Sequence, residues 1–201
     1  MKKLLFAALL FVGQAALCAE PAAPLTAESQ RAYFKIYDRV TLAMIQQRRD
    51  LLPELMKEMS RLGDAGDPRA AFQYALYHIT MADREKGIAM AEKLFPELLK
   101  LAQKDDWLAC QNVAACYAHG VGCKRDNAAA NRWNEKSWEL MKKAAADDDP
   151  VAMFERATRL LMMGEDPEEP ERLLMRLKKH DSKSAEYALK IIAKEKKDAG
   201  K

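Results

Sequence analysis

The 201-residue sequence predicts an all-α protein, a short right-handed superhelical array of antiparallel helix hairpins. Three observations lead there. Ala, Leu, Met, Lys and Glu dominate, and long runs of alternating β-branched residues are absent, which favours helix over sheet. The stretch from Ala109 to Ser137 sets small residues, an aromatic and a glycine turn at fixed offsets: Ala109, Ala114, Tyr117, Gly120, Gly122, Asp126, Ala130 and Trp133. Small residues allow close helix approach, glycine reverses the chain, and Asp126 stands where it caps the following helix. Third, the same offsets recur elsewhere along the chain.

The chain opens on Lys2 and Lys3 followed by an apolar run from Leu4 to about Leu17. That run is short for a spanning helix and suits a secretory signal peptide, residues 1–19. Cleavage fits after Cys18 or after Ala19. A lipidated Cys18 and a retained anchor are the alternatives, and Leu17 directly before the cysteine argues against lipidation. Residues 20–25 read as a linker and 26–66 as an N-terminal helical hairpin, a cap or degenerate first unit. Its first helix carries Tyr33, Ile36, Tyr37, Val40, Met44 and Ile45 at helical spacing. Asp50 is the expected cap of the second helix, Pro53 falls in its first turn, and Gly63 and Gly66 close it.

From residue 67 the chain can be laid on itself. Asp67, Asp106 and Asp149 each stand three residues before an alanine: Ala70, Ala109 and Ala152. Each alanine is followed by a second small residue (Ala75, Ala114, Ala157) and a large one (Tyr77, Tyr117, Leu160). The anchors lie roughly forty residues apart, room for one more helix per unit, with helix starts near Asp83, Asp126 and Glu169. A truncated fourth unit is expected from Asp181. Residues 67–196 are therefore read as helical repeats and 197–201 as a tail.

The middle unit resembles the Sel-one-like repeat, a relative of the tetratricopeptide repeat. The resemblance rests on Ala109, Val113-Ala114, Tyr117, Gly120, Gly122, Arg125-Asp126, Ala130, Trp133 and Ser137-Trp138. Cys123 stands where the family has Val, and Trp138 replaces a closing Ala. The flanking units keep the helix positions and lose the glycine turn. The resemblance implies a helical scaffold mediating protein–protein contacts. It also brings in secreted relatives for which peptidoglycan or β-lactam binding has been proposed.

Charge and motifs narrow the function classes. The formal net charge is +3 with signs interspersed, and removal of Lys2 and Lys3 lowers it. That leaves no electrostatic footprint for nucleic acid, and none is expected as partner. The acidic run Glu165, Asp166, Glu168, Glu169, Glu171 lacks calcium-loop spacing and reads as a solvated connection. No Ser-x-x-Lys, His-Glu-x-x-His, P-loop or Gly-x-Ser-x-Gly occurs. No enzyme, cofactor or metal is expected. His78, His119 and His180 read as helix-end residues favoured by the macrodipole.

Without the signal, Cys110, Cys116 and Cys123 remain, an odd count for an oxidising compartment. Cys110 and Cys116 lie roughly 9 Å apart along one helix and about 240° around it, which no disulfide spans. Cys116 and Cys123, on either side of the glycine turn, can meet and are the disulfide candidates. Cys110 is then a small core residue. Zinc on Cys116, Cys123 and His119 has the ligand types without the fourth ligand or the spacing. Methionines such as Met44, Met56, Met59, Met90, Met141 and Met153 sit at core spacing.

Binding in such arrays uses the first helix of each unit. The partner-binding candidates are Gln73 and Tyr74, Gln111 and Asn112, Glu155 and Arg156. The expectation is a bacterial periplasmic or secreted scaffold that binds an envelope protein and does not touch the membrane once the signal is removed. The alternative is a peptidoglycan-fragment (muropeptide) or β-lactam binder with at most weak hydrolysis. A purely structural module is the third reading.

Overall fold

The computed structural model describes residues 26–164, 166 and 168–199. The expected signal peptide, the linker and the fate of Cys18 lie outside these residues, as do Glu165, Pro167 and the last two positions. Among the described residues the protein is all-helical. Its nine α-helices are α1 (Ala27–Ile45), α2 (Leu52–Asp64), α3 (Pro68–Met81), α4 (Arg84–Gln103), α5 (Trp107–His119), α6 (Asn127–Ala146), α7 (Pro150–Met163), α8 (Glu169–Leu177) and α9 (Lys183–Ala199). Short 3₁₀ turns, Arg49–Leu51 and Lys178–His180, precede α2 and α9. No described helix is long and apolar enough to cross a membrane.

Aspartate caps set the helix starts. Asp67, Asp83, Asp106, Asp126 and Asp149 each accept the backbone N–H three residues on, opening α3 to α7. Each such cap contributes about 1 kcal/mol to its helix. For α9 the cap is Ser182, whose Oγ accepts from Ala185 N at 3.1 Å. This corrects the expected start at Asp181 by one residue, because Asp181 adopts φ +56° and ends the 3₁₀ turn instead. With that shift the alanines three past the cap, Ala70, Ala109, Ala152 and Ala185, are all fully buried. Asp50 does not cap α2. Its carboxylate is held by two bonds from Arg48 inside the 3₁₀ turn, leaving Leu51 at the N-cap with no side-chain bond.

Successive helices pack on one another from α1 through α9. Their close approach needs residues without bulk. A Cβ on Gly87 in α4 would lie 2.6 Å from Ile79 N and 2.7 Å from Ala75 O of α3. Gly87→Ala is therefore expected to cost about 1–3 kcal/mol by overpacking a backbone contact; an unchanged urea midpoint would contradict this. After α5, Gly120 (φ +66°) and Gly122 (φ +74°) take the left-handed conformation that turns the chain toward α6. Tyr117 packs edge-on against Phe95 of α4, with ring centroids 5.5 Å apart.

Helix α1 does more than begin the series, because it also packs against α7 and α9. Asp38, buried in α1, receives Ser182 Oγ at 2.6 Å, Lys183 N at 3.0 Å and Ser184 N at 3.2 Å. A carboxylate from the first helix thus satisfies the N-terminal amides of the last, where the helix dipole favours it. The largest apolar cluster joins Tyr33 and Phe34 of α1 to Phe154 of α7, Leu174 of α8 and Ala185 of α9. A second cluster fills the space among α3, α4 and α5 around Phe72, Leu98 and Val113.

Candidate interaction surface

Counted from the caps, equivalent positions on the first helices are Gln73, Asn112 and Glu155. The paired expectation Gln73/Tyr74, Gln111/Asn112, Glu155/Arg156 is therefore out of register by one in the middle unit. Gln111 is equivalent to the core residues Phe72 and Phe154. That explains why its Oε1 is buried with no hydrogen-bond partner.

The row is not an open face. Asn112 is 3% exposed and its Nδ2 has no partner. Glu155 accepts the Tyr37 hydroxyl of α1. Burial, then the Glu155 charge, pushes the Tyr37 phenol well above its ordinary value, so it keeps its proton and donates. Arg156 turns the other way, pairing with Glu169 of α8 at 2.6 Å and lying 5.7 Å from the centre of the Trp138 ring. Tyr74 packs edge-on against His78 at 4.7 Å and lies under Lys86. Gln73 is half-buried. His78 is buried with both ring nitrogens unpartnered, and burial lowers its pKa. Tyr33 and Tyr37 of α1, stacked 6.0 Å apart, reach toward the helices of this row.

At the capped ends of these helices lies a cleft of about 470 Å³. Arg69 forms its inner wall, bonded to Asp67 at 3.0 and 3.1 Å and to Asp106 at 3.1 Å. Its guanidinium carbon lies 5.4 Å from the Tyr33 ring centre. The caps of α3 and α5 are thereby joined through one buried cation. Trp107 Nε1 donates to the third cap, Asp149, at 3.4 Å. Across the cleft, His180 Nε2 lies 2.9 Å from Asp148 Oδ2. The Arg176 hydrogen bond holds the Asp148 carboxyl below the usual range.

A second opening is of another kind. Between α1, α7 and α9 runs a groove of about 560 Å³. Phe154 and Leu174 are its floor, and Val40, Met44, Leu161 and Ile191 its walls. Met44, Leu161 and Ile191 are 43%, 47% and 38% exposed, so Met44 is not the core residue its spacing indicated. Two carboxylates, Glu155 and Glu195, also line it, with no Lys, Arg or His among the described lining residues.

Cys110, Cys116 and Cys123 are free thiols in this structure. Burial pushes the Cys110 thiol up to about 11 and the Cys116 thiol, with Cys123 adding to it, up to about 12. All three belong to the second apolar cluster or pack on it. Among the described residues no group of three or more His, Cys, Asp or Glu is placed to hold a metal ion.

No protein-family model matches the chain, and no solved structure matches it.

Proposed function

We propose that the chain is an exported helical-repeat scaffold of the bacterial cell envelope, a non-enzymatic protein that works by holding another envelope protein. On this reading the hairpins α3/α4, α5/α6 and α7/α8 are Sel-one-like units stacked in a short right-handed array. The shared register of caps and buried alanines supports it, since units this small are stabilised by their neighbours. The observation that carries the binding claim is the apolar groove between α1, α7 and α9 with its exposed rim, a surface that marks interaction sites. In the row Gln73, Asn112, Glu155, the last then serves to seat α1 through Tyr37 rather than a partner.

The 470 Å³ cleft favours the muropeptide reading as second choice, because Gln30, Arg31 and Asp147 line it together with Trp107. Capture separates the two. The mature chain, briefly crosslinked in envelope extract of its own source with muropeptides present, should enrich one protein reproducibly. A folded Leu161→Ser, Ile191→Ser variant should lose it. Retention of muropeptides alone, unaffected by those changes, overturns the scaffold reading.

The same reading places the mature chain in an oxidising compartment, where Cys116 and Cys123 are expected to be joined across the glycine turn. Protein recovered from that compartment and unfolded in denaturant should titrate one thiol per chain, Cys110. Three thiols would remove the bridge.

A further inference from the structure

We propose that the groove between α1, α7 and α9 receives one face of an amphipathic helix carrying Lys or Arg beside its apolar stripe. The inference rests on the scaffold reading and names the chemistry of the partner. Each of the three helices offers the groove a stripe at helical spacing. On α9 it is Ala188, Ile191, Ile192 and Glu195; on α1 it runs from Tyr37 to Ile45. Stripes at i, i+3, i+4 and i+7 on adjacent helices leave a channel that a further helix fills with anchors at the same spacing. The α1 stripe spans about 12 Å, two helical turns.

The walls argue against a small enclosed ligand. Met44, Leu161 and Ile191 stand with 38–47% of their surface in solvent, and a partner with its own apolar stripe covers them where a molecule sunk in the groove does not. Charge supplies the second half of the argument. Glu155 holds only the neutral Tyr37 hydroxyl, and Glu195 has no ion-pair partner among the described residues. Two carboxylates on an apolar groove without a cation call for a cationic occupant.

The test uses the full mature chain and a fluorescein-labelled peptide of roughly 18 residues, long enough to hold helix. It carries Leu at i, i+3/i+4 and i+7 with flanking Lys; its twin carries Glu for Lys. Fluorescence anisotropy should show the Lys peptide binding about tenfold tighter than the Glu peptide, as charge complementarity demands. Glu195→Lys should narrow or invert that order, and the Leu161→Ser, Ile191→Ser variant, shown folded by circular dichroism, should bind neither. Equal binding of the two peptides, or binding indifferent to the groove substitutions, overturns the proposal. So does saturable binding of dodecyltrimethylammonium with no peptide binding, or dimerisation of the chain abolished by Ile191→Ser. Failure here with a protein still captured through the groove rejects the helix and keeps the scaffold; loss of both rejects the scaffold.

Discussion

Replacing Arg69 with leucine is expected to lower folding stability by about 3–5 kcal/mol, because it strands the buried Asp67 carboxylate and the partly buried Asp106 carboxylate. Arg69 is 7% exposed and Asp67 3%. Burial alone would pull the guanidinium's pKa down, yet the Asp67 bonds and the Asp106 charge hold it up. Burial pushes the Asp106 carboxyl up against the pull of Arg69. Without the cation both carboxylates lose their compensation while still capping α3 and α5, and the Asp106 carboxyl, already pushed up by burial, is pushed further. The sign of the pH effect follows. A carboxyl whose pKa is raised in the folded state takes up a proton there first as pH falls, so the penalty shrinks. The gap between wild type and Arg69→Leu should be widest near neutrality and narrow toward acid. Urea unfolding at several pH values measures it. A loss below about 1 kcal/mol, the scale of a surface ion pair, or a gap constant with pH, would contradict the account.

Asp38→Ala is expected to cost about 3 kcal/mol, because the first amides of α9 and the hydroxyl of its cap Ser182 lose a charged acceptor. The carboxylate takes bonds from Ser182, Lys183 and Ser184, and the two serine hydroxyls otherwise meet only each other, at 3.3 Å, as acceptors among the described residues. The damage should fall on the seam between the first and last helices. Amide exchange at the start of α9 should accelerate most, while α4 and α5 keep their protection. Asp38→Asn retains one acceptor oxygen and should lie between. An Asp38→Ala protein with the wild-type urea midpoint would show that α9 is held by apolar packing alone.

Local chemistry explains which parts could be read from the sequence. Five aspartates three residues before a small or helix-forming position mark their helices, because capping depends on neighbours a few residues away. Asp50 fails for an equally local reason: Arg48 takes its carboxylate. The slip at Gln111 arises because a polar residue occupies a position that is Phe72 and Phe154 in the other helices. Nothing near Tyr37 marks Glu155, far along the chain, as its partner, so the seating of α1 on Glu155 has no sequence signature. The groove was hidden for the converse reason. Met44, Leu161 and Ile191 follow core periodicity, and only the third-dimensional arrangement of α1, α7 and α9 leaves them uncovered.

On the proposed function the chain holds a protein partner through the α1, α7, α9 groove. The most direct measurement replaces Ile191 with a photo-crosslinking phenylalanine analogue, with Lys124, exposed on the far side of the glycine turn, as control position. After irradiation in envelope extract of its own source, position 191 should yield one discrete adduct, identified by mass spectrometry, that position 124 does not. Adducts that are identical from both positions, or absent from position 191 while the chain remains folded, would contradict the claim.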